Sequence, residues 1–467
     1  MTYIRYEFFL ICTLMAISSI IALEPSNLVI IILSQEEGYN AAQAELLKSN
    51  VIQQAKSLEK DPPQIILTHK LDIYGTWTLI PLIVYLKDEN ISGSWYIFCA
   101  ENTVIRLSKL LNTLDKYNVD IYRNIWIGNA LYDTEPTIIH HFAQHTKKFK
   151  YPNLASGFAI SKHLLNALIN KTMEFVSDKV DFSVDASYEF SMFILNESKG
   201  SRLTHAPEFC VVSNENCATY PKPFFPCDKI ASPQNAYIAV KTCAKYHVER
   251  VSILRKTWTK YADNIGFFTD KLDGNLTNGI VVPNTSQGHC AKTYAILKHV
   301  APILEENSLD WLVITDDDTI LSLSRVYKLL TCYNPKNTLA IGERYGYRTM
   351  KIYGYDYLTG GSGVILSYPL VREIINSREC ECPSATTPDD MFLFGVCLAH
   401  LTIKITHSPL FHQARPTDYA ISYLDSQEPI SFHKFWMTDP ELIYEKWFQE
   451  ADEIAFLHKE QRKHTEL

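Results

Sequence analysis

Trp311-Leu-Val-Ile-Thr-Asp-Asp-Asp-Thr319 is the stretch on which the fold turns. Trp311 to Thr315 is apolar and rich in β-branched residues, which predicts a buried strand. Three aspartates follow at once, and Ile320–Leu330 predicts a helix. The acids thus fall at the carboxyl end of a strand, where open α/β sheets bind ligands. Adjacent carboxylates repel one another unless a cation or solvent screens them. A hard divalent ion such as Mn²⁺ or Mg²⁺ takes oxygen ligands from such a cluster and from a diphosphate. Taken alone, the triplet serves equally as a cap and acidic first turn for the helix behind it.

Working outward, short apolar runs alternate with helical patterns, the mark of an α/β fold. Strands are expected at Leu28–Leu33, Gln64–Thr68 and Trp95–Cys99, then at Ala236–Lys241, Ile265–Thr269 and Trp311–Thr315. Between the two sets, residues 206–233 hold five prolines and three cysteines (Cys210, Cys217, Cys227) and read as a cross-linked connector. The halves resemble each other. Trp95-Tyr-Ile-Phe-Cys-Ala-Glu-Asn-Thr103 lines up with Trp311–Thr319, Ile127-Gly128 with Ile341-Gly342, and Ser156–Ser161 with Ser362–Ser367. Conserved order and spacing predict a duplication. The first copy carries Ala100-Glu101-Asn102 in place of the aspartates, which leaves it a structural or acceptor-binding role.

Two further motifs lie in the second half. Tyr357-Leu-Thr-Gly-Gly-Ser-Gly363 is a glycine-rich turn that lets backbone approach a ligand, or simply a tight turn. Thr387-Pro-Asp-Asp-Met-Phe392 opens a helix predicted to run to about His400. Acids in its first turn are favoured by the helix dipole, which also keeps a carboxylate ionised as a general base.

The chain has 467 residues, 46 % apolar, with a net charge of −8. That is a globular composition with room for two domains and no basic face for nucleic acid. Phe8–Leu23 is a sixteen-residue apolar run behind Arg5, ending among small residues. It is short for a bilayer span and reads as a secretory signal over residues 1–22, the alternative being a type II anchor. The chain ends His464-Thr-Glu-Leu467, similar to an ER-retrieval signal, which implies a lumenal protein that meets the retrieval receptor. Acceptor sequons at Asn90, Asn170, Asn196, Asn275 and Asn284 fit that compartment. Ten cysteines remain outside the signal, enough for five disulfides, with zinc the alternative for Cys380 and Cys382.

Residues 235–447 resemble the fringe-like β-1,3-glycosyltransferases. The likeness rests on Tyr237–Cys243, Arg255-Lys-Thr-Trp258, Asp310–Asp318, Thr359–Gly363, Pro388-Asp-Asp390 and Leu410-Phe-His412. Gly288–Thr293, Phe411–Pro416, Ile430–Lys434, the duplicated first half and the tail are similar to the branch that adds glucose to O-linked fucose on thrombospondin type 1 repeats. The resemblance implies two tandem GT-A-like (Rossmann-like) domains, the first degenerate. Their boundaries would be 23–205 and 234–447, with a tail over 448–467. It implies an inverting, metal-dependent transfer from UDP-glucose, with Mn²⁺ or Mg²⁺ at Asp318 and Asp316. Asp316 and Asp317 would also meet the ribose, sugar or metal-bound water. Asp390 would be the general base, supported by Asp389. His433 or His412 would complete the metal site, with His433 preferred, because Ala414 stands where fringe itself has a histidine. Lys241, Thr242, Arg255 and Lys292 would face the nucleotide, and Gly360 and Gly361 the sugar. Transfer of galactose or N-acetylglucosamine is the first rival, and an inactive lectin or folding factor the second.

Overall fold

The computed structural model describes residues 23–117, 123–143, 149–175, 181–197, 200–228, 235–274, 276–285, 287–351 and 353–456. The apolar leader, the retrieval-like tail and the Asn275 sequon lie outside these. Asn90 and Asn284 are exposed. Among the described residues no helix is long and apolar enough to cross a membrane.

Two mixed sheets organise the chain. The first is built from β1 (Leu28–Leu33), β2 (Gln64–Leu67), β3 (Trp95–Ala100), β4 (Trp126–Gly128), β5 (Phe158–Ser161) and β6 (Thr204–His205), in the order β2-β1-β3-β5-β4-β6. The second is built from β7 (Ala236–Lys241), β8 (Ile265–Thr269), β9 (Gly279–Val281), β10 (Trp311–Asp316), β11 (Ala340–Gly342), β12 (Val364–Ser367) and β13 (Thr406–His407). Its order is β9-β8-β7-β10-β12-β11-β13. Apart from the extra edge strand β9, the two orders match position by position. So do the senses: β1 runs parallel to β2 and β3, which pairs antiparallel with β5, as β7 runs parallel to β8 and β10, which pairs antiparallel with β12. Even the register agrees, since Leu28–Leu33 faces Trp95–Ala100 as Ala236–Lys241 faces Trp311–Asp316. The central strands are buried on both faces, which explains their unbroken apolar runs.

The expected strands stand within a residue or so of their sequence limits; the helix expected from Ile320 does not. Thr319–Leu321 is a short strand paired antiparallel with Ser431–His433, and the helix begins only at Leu323, with the Ser322 hydroxyl accepting from the Arg325 amide. The aspartates therefore belong to a turn between two strands and do not cap that helix. The helix opening at Asp389 continues to His400 with one wide turn, and Pro388 stands at its N-cap.

Two expected boundaries shift. Thr219–Pro221 pairs with Thr103–Ile105, as Ser431–His433 pairs with Thr319–Leu321, so the start of the supposed connector packs as part of the first half. The second half does not stop at 447. Phe448 and Phe456 lie in its core, and buried Asp452 accepts from the Ser322 hydroxyl, the Ser324 amide and the Tyr444 hydroxyl.

Four disulfides join Cys210–Cys217, Cys227–Cys332, Cys290–Cys382 and Cys380–Cys397, one fewer than the cysteine count allows. Cys99 and Cys243 are free thiols. Cys380 and Cys382 take separate partners, which removes the zinc alternative. Cys227–Cys332 ties the connector to the second half. The halves also share a strand pairing, Phe182–Ser183 on Tyr347–Gly346, and the Gln35 side chain bonds both backbone groups of His407.

Phe448→Ala should cost about 3–5 kcal/mol through lost burial and the cavity left behind. Denaturant unfolding of the variant measures this, and a loss under about 1 kcal/mol would mean that the segment does not pack there.

Candidate active site

Strand β10 ends at Asp316, and the turn to Thr319 carries Asp317 and Asp318, which share Arg250. Asp317 turns inward and is 5 % exposed. Its oxygens accept from the Thr242 hydroxyl at 2.8 Å and from Arg250 at 2.7 Å. Burial, offset in part by Arg250, pushes its pKa up to about 6. With both oxygens engaged, Asp317 holds the turn in place.

Asp316 and Asp318 face outward together with His433, and one ligand atom from each lies within 4.8 Å of the others. His433 arrives through the Thr319–His433 pairing of the short ribbon. Its Nδ1–H donates to the Gln413 carbonyl at 3.1 Å, so Nε2 is the nitrogen that faces the acids, 3.1 Å from Asp318 and 3.8 Å from Asp316. Burial works to raise the Asp318 pKa, but the bond and charge of His433, with Arg250 at 3.0 Å, hold it below the usual range. Two carboxylates and an imidazole oriented by a backbone carbonyl form a donor set suited to a divalent ion. Gly361 makes the site possible. A Cβ there would sit 2.4 Å from the His433 ring, and its carbonyl accepts from Thr319 at 2.7 Å.

The second acid pair reaches the same place from another element. Lys241, at the end of β7, bridges Asp316 at 2.9 Å and Asp389 at 2.7 Å. Burial disfavours its charge, but the two carboxylates outweigh that and raise its pKa. Asp389 is lowered in turn: burial opposes ionisation, and Lys241 and the Thr293 hydroxyl at 2.6 Å overcome it. Among the described residues, Asp390 has no such cation or hydroxyl in contact. Burial and then the neighbouring Asp389 push it up to about 6, opposed by the Met391 amide at 2.7 Å. Asp389 is thus a fixed anion, and Asp390 a carboxylate that can take a proton near neutral pH. Gly360 lies against both Lys241 and Asp390.

Other expected residues are placed differently. His412 is buried away from the acids, its ring 4.7 Å from Tyr419 and 5.0 Å from Phe432; burial pushes its pKa down to about 3. It packs as a neutral imidazole and does not join the acid group. Arg255 turns to the Thr277 carbonyl and hydroxyl. Lys292 donates to the Thr242 carbonyl at 2.5 Å, and its pKa is lowered by burial. Lys241 and Thr242 are engaged by Asp316, Asp389 and Asp317. Arg250 and Gln413 escaped the sequence reading. A lone arginine five residues before Arg255 carries no spacing signal, and Gln413 acts through its backbone.

A model of the fringe-like family matches residues 231–460. A human protein named beta-1,3-glucosyltransferase is 41 % identical over 434 residues, 91 % of this chain and 86 % of that protein. Its mouse namesake is 40 % identical over 91 % of this chain and 87 % of its own length. A Xenopus laevis beta-1,3-N-acetylglucosaminyltransferase, lunatic fringe, is 26 % identical over 38 % of this chain and 53 % of its own.

Gly361→Ala should displace the His433 ring and weaken Mn²⁺ binding roughly 10–100-fold, as calorimetry would show; unchanged affinity would mean that His433 is not a ligand. Below about pH 6, Asp390 becomes protonated and cannot accept a proton. Turnover should then fall about tenfold per pH unit, in a steady-state pH profile.

Proposed function

Because the chain belongs to the fringe-like glycosyltransferase family, we propose that it is an inverting, metal-dependent β-1,3-glucosyltransferase acting from UDP-glucose on O-linked fucose of thrombospondin type 1 repeats. Identity of 40–41 % over 91 % of the chain to proteins named for glucosyl transfer favours glucose over the sugar of the fringe relative, which aligns over 38 % of this chain at 26 %. The observation that carries the chemistry is the convergence of Asp316, Asp318 and His433 beside a separately elevated Asp390.

Asp316, Asp318 and His433 Nε2 would hold Mn²⁺ or Mg²⁺, which when bound offsets charge on the departing diphosphate. Asp390 takes the proton of the fucose 3-hydroxyl as that oxygen attacks the anomeric carbon. The carbon–oxygen bond to the diphosphate breaks on the opposite face, and configuration inverts. Asp389 and Lys241 keep Asp390 and Asp316 at fixed separation. The turn around Gly360 and Gly361 gives the sugar access to backbone beside both acids. We further propose that the first half is a degenerate GT-A-like copy. The leader and tail support residence in the ER lumen, where the retrieval receptor would return the chain.

Transfer from UDP-glucose to a fucosylated repeat, with and without Mn²⁺, tests this directly. Turnover should require the ion, and Asp390→Asn and Asp318→Asn should each lower it at least 10³-fold in folded protein. Faster transfer from UDP-galactose or UDP-N-acetylglucosamine would overturn the glucosyl assignment.

A further inference from the structure

A cavity of about 1020 Å³ lies between the halves. Its floor is the first half's counterpart of the active site, since Leu33, Gln35, Ala100, Glu101, Asn102 and Pro221 all line it. Strand register fixes the correspondence. Leu33 stands opposite Ala100 as Lys241 stands opposite Asp316, and Pro221 pairs with Thr103 as His433 pairs with Thr319. Every residue that would hold a metal is therefore replaced: Asp316 by Ala100, Asp318 by Asn102 and His433 by Pro221. The lysine that bridges the acid pairs is replaced by Leu33. Glu101 alone keeps an acid, at the position of Asp317. It plays the same inward role with neutral partners, accepting from the Gln35 amide at 2.9 Å, the Gln35 side chain at 3.2 Å and the Asn40 side chain.

The second half closes the cavity with different chemistry. Arg344 lies over Trp77, its guanidinium carbon 4.6 Å from the ring centroid, and its buried Nε has no hydrogen-bond partner among the described residues. Trp77 Nε1 donates to Asp356 at 3.0 Å. Tyr39, Tyr74, Tyr333 and Tyr355 add aromatic faces. Carboxylates on the lining outnumber cations, and of the lysines there, Lys404 pairs with Glu36 and Lys222 donates to Gln43. Such a site repels a nucleoside diphosphate. Aromatic walls with carboxylate, amide and guanidinium groups suit an uncharged, hydroxyl-rich ligand of a few rings, and the volume is of that size.

We propose that this cavity is a second carbohydrate site, one that binds neutral saccharide of the glycoprotein acceptor and takes neither nucleotide nor metal. It rests on the glucosyltransferase reading for the source of the saccharide and for the choice of probe, the methyl glycoside of glucosyl-β-1,3-fucose. Saturation-transfer NMR on the full-length Asp318→Asn protein should show contact with that disaccharide, since the cavity is separate from the metal site. Adding Trp77→Ala should cut the transfer at least fivefold. Arg344→Lys, which keeps the charge but loses the planar fork, should also weaken it and serves if Trp77→Ala does not fold. UDP should show no transfer in the Asp318→Asn background. Absence of transfer to the disaccharide, or transfer indifferent to both cavity substitutions, would overturn the site. Donor hydrolysis by the otherwise unaltered chain reads the catalytic proposal separately. Hydrolysis should survive Trp77→Ala, and its absence alongside Trp77-dependent saccharide binding would sink the catalytic proposal and leave the cavity standing.

Discussion

Lys241 reaches from the end of β7 to carboxylates on two different elements, Asp316 on β10 and Asp389 at the start of a helix. Burying an ammonium is costly unless paired, and so is burying Asp389. Each cancels the penalty of the other, and the pair locks the Asp-rich turn to the Pro-Asp-Asp motif. Arg250 does the same for Asp317 and Asp318. Four carboxylates (Asp316, Asp317, Asp318, Asp389) meet two cations in direct contact, and with Asp390 beside them an excess of three negative charges is left if all five are ionised. Burial together with that imbalance lifts Asp390 toward neutrality, and the same excess would favour a divalent ion at Asp316, Asp318 and His433.

The two sheets make the contrast plain, because the same strand order and register carry opposite electrostatics. In the second half a buried acid is held by an arginine, and outward acids surround it. In the first, Glu101 is held by amides, and the outward positions are neutral. The lysine and the acids are absent together: a lone Leu33→Lys substitution would place a cation opposite Ala100, with no carboxylate in the place that Asp316 takes beside Lys241. The halves meet across the cavity that Ala100, Glu101 and Asn102 line, and Arg344 and Tyr355 of the second half roof it.

Much of this was legible in the residues. Unbroken apolar runs marked the central strands, because burial on both faces leaves no alternation to obscure them. The Ala-Glu-Asn against Asp-Asp-Asp comparison foretold that the first half lacks the acid cluster. The exchange of His433 for Pro221 was not legible, since it depends on which residue pairs with Thr103 in a three-residue ribbon. Ile320 and Leu321 read as the start of the following helix because a short apolar run carries no decisive period; the pairing of Thr319–Leu321 with Ser431–His433 overrides it. Arg250 acts from the short helix His247–Val251, which carries no motif, and the segment beyond 447 looked like a tail although Phe448, Asp452 and Phe456 close the core. His412 and His433 both follow an aromatic residue in the sequence and both are buried, so only their neighbours in the fold separate them: one packs among rings, the other faces the acids.

The central claim is that one divalent ion binds, and that it binds in the second half alone. Crystals of the full chain grown with Mn²⁺ and UDP, with anomalous data collected at the manganese edge, address it most directly. The account predicts one strong peak per chain, within coordination distance of Asp316, Asp318 and His433 Nε2, and none near Glu101. A peak at His412, a second ion in the first half, or UDP bound at full occupancy without an ion would contradict it.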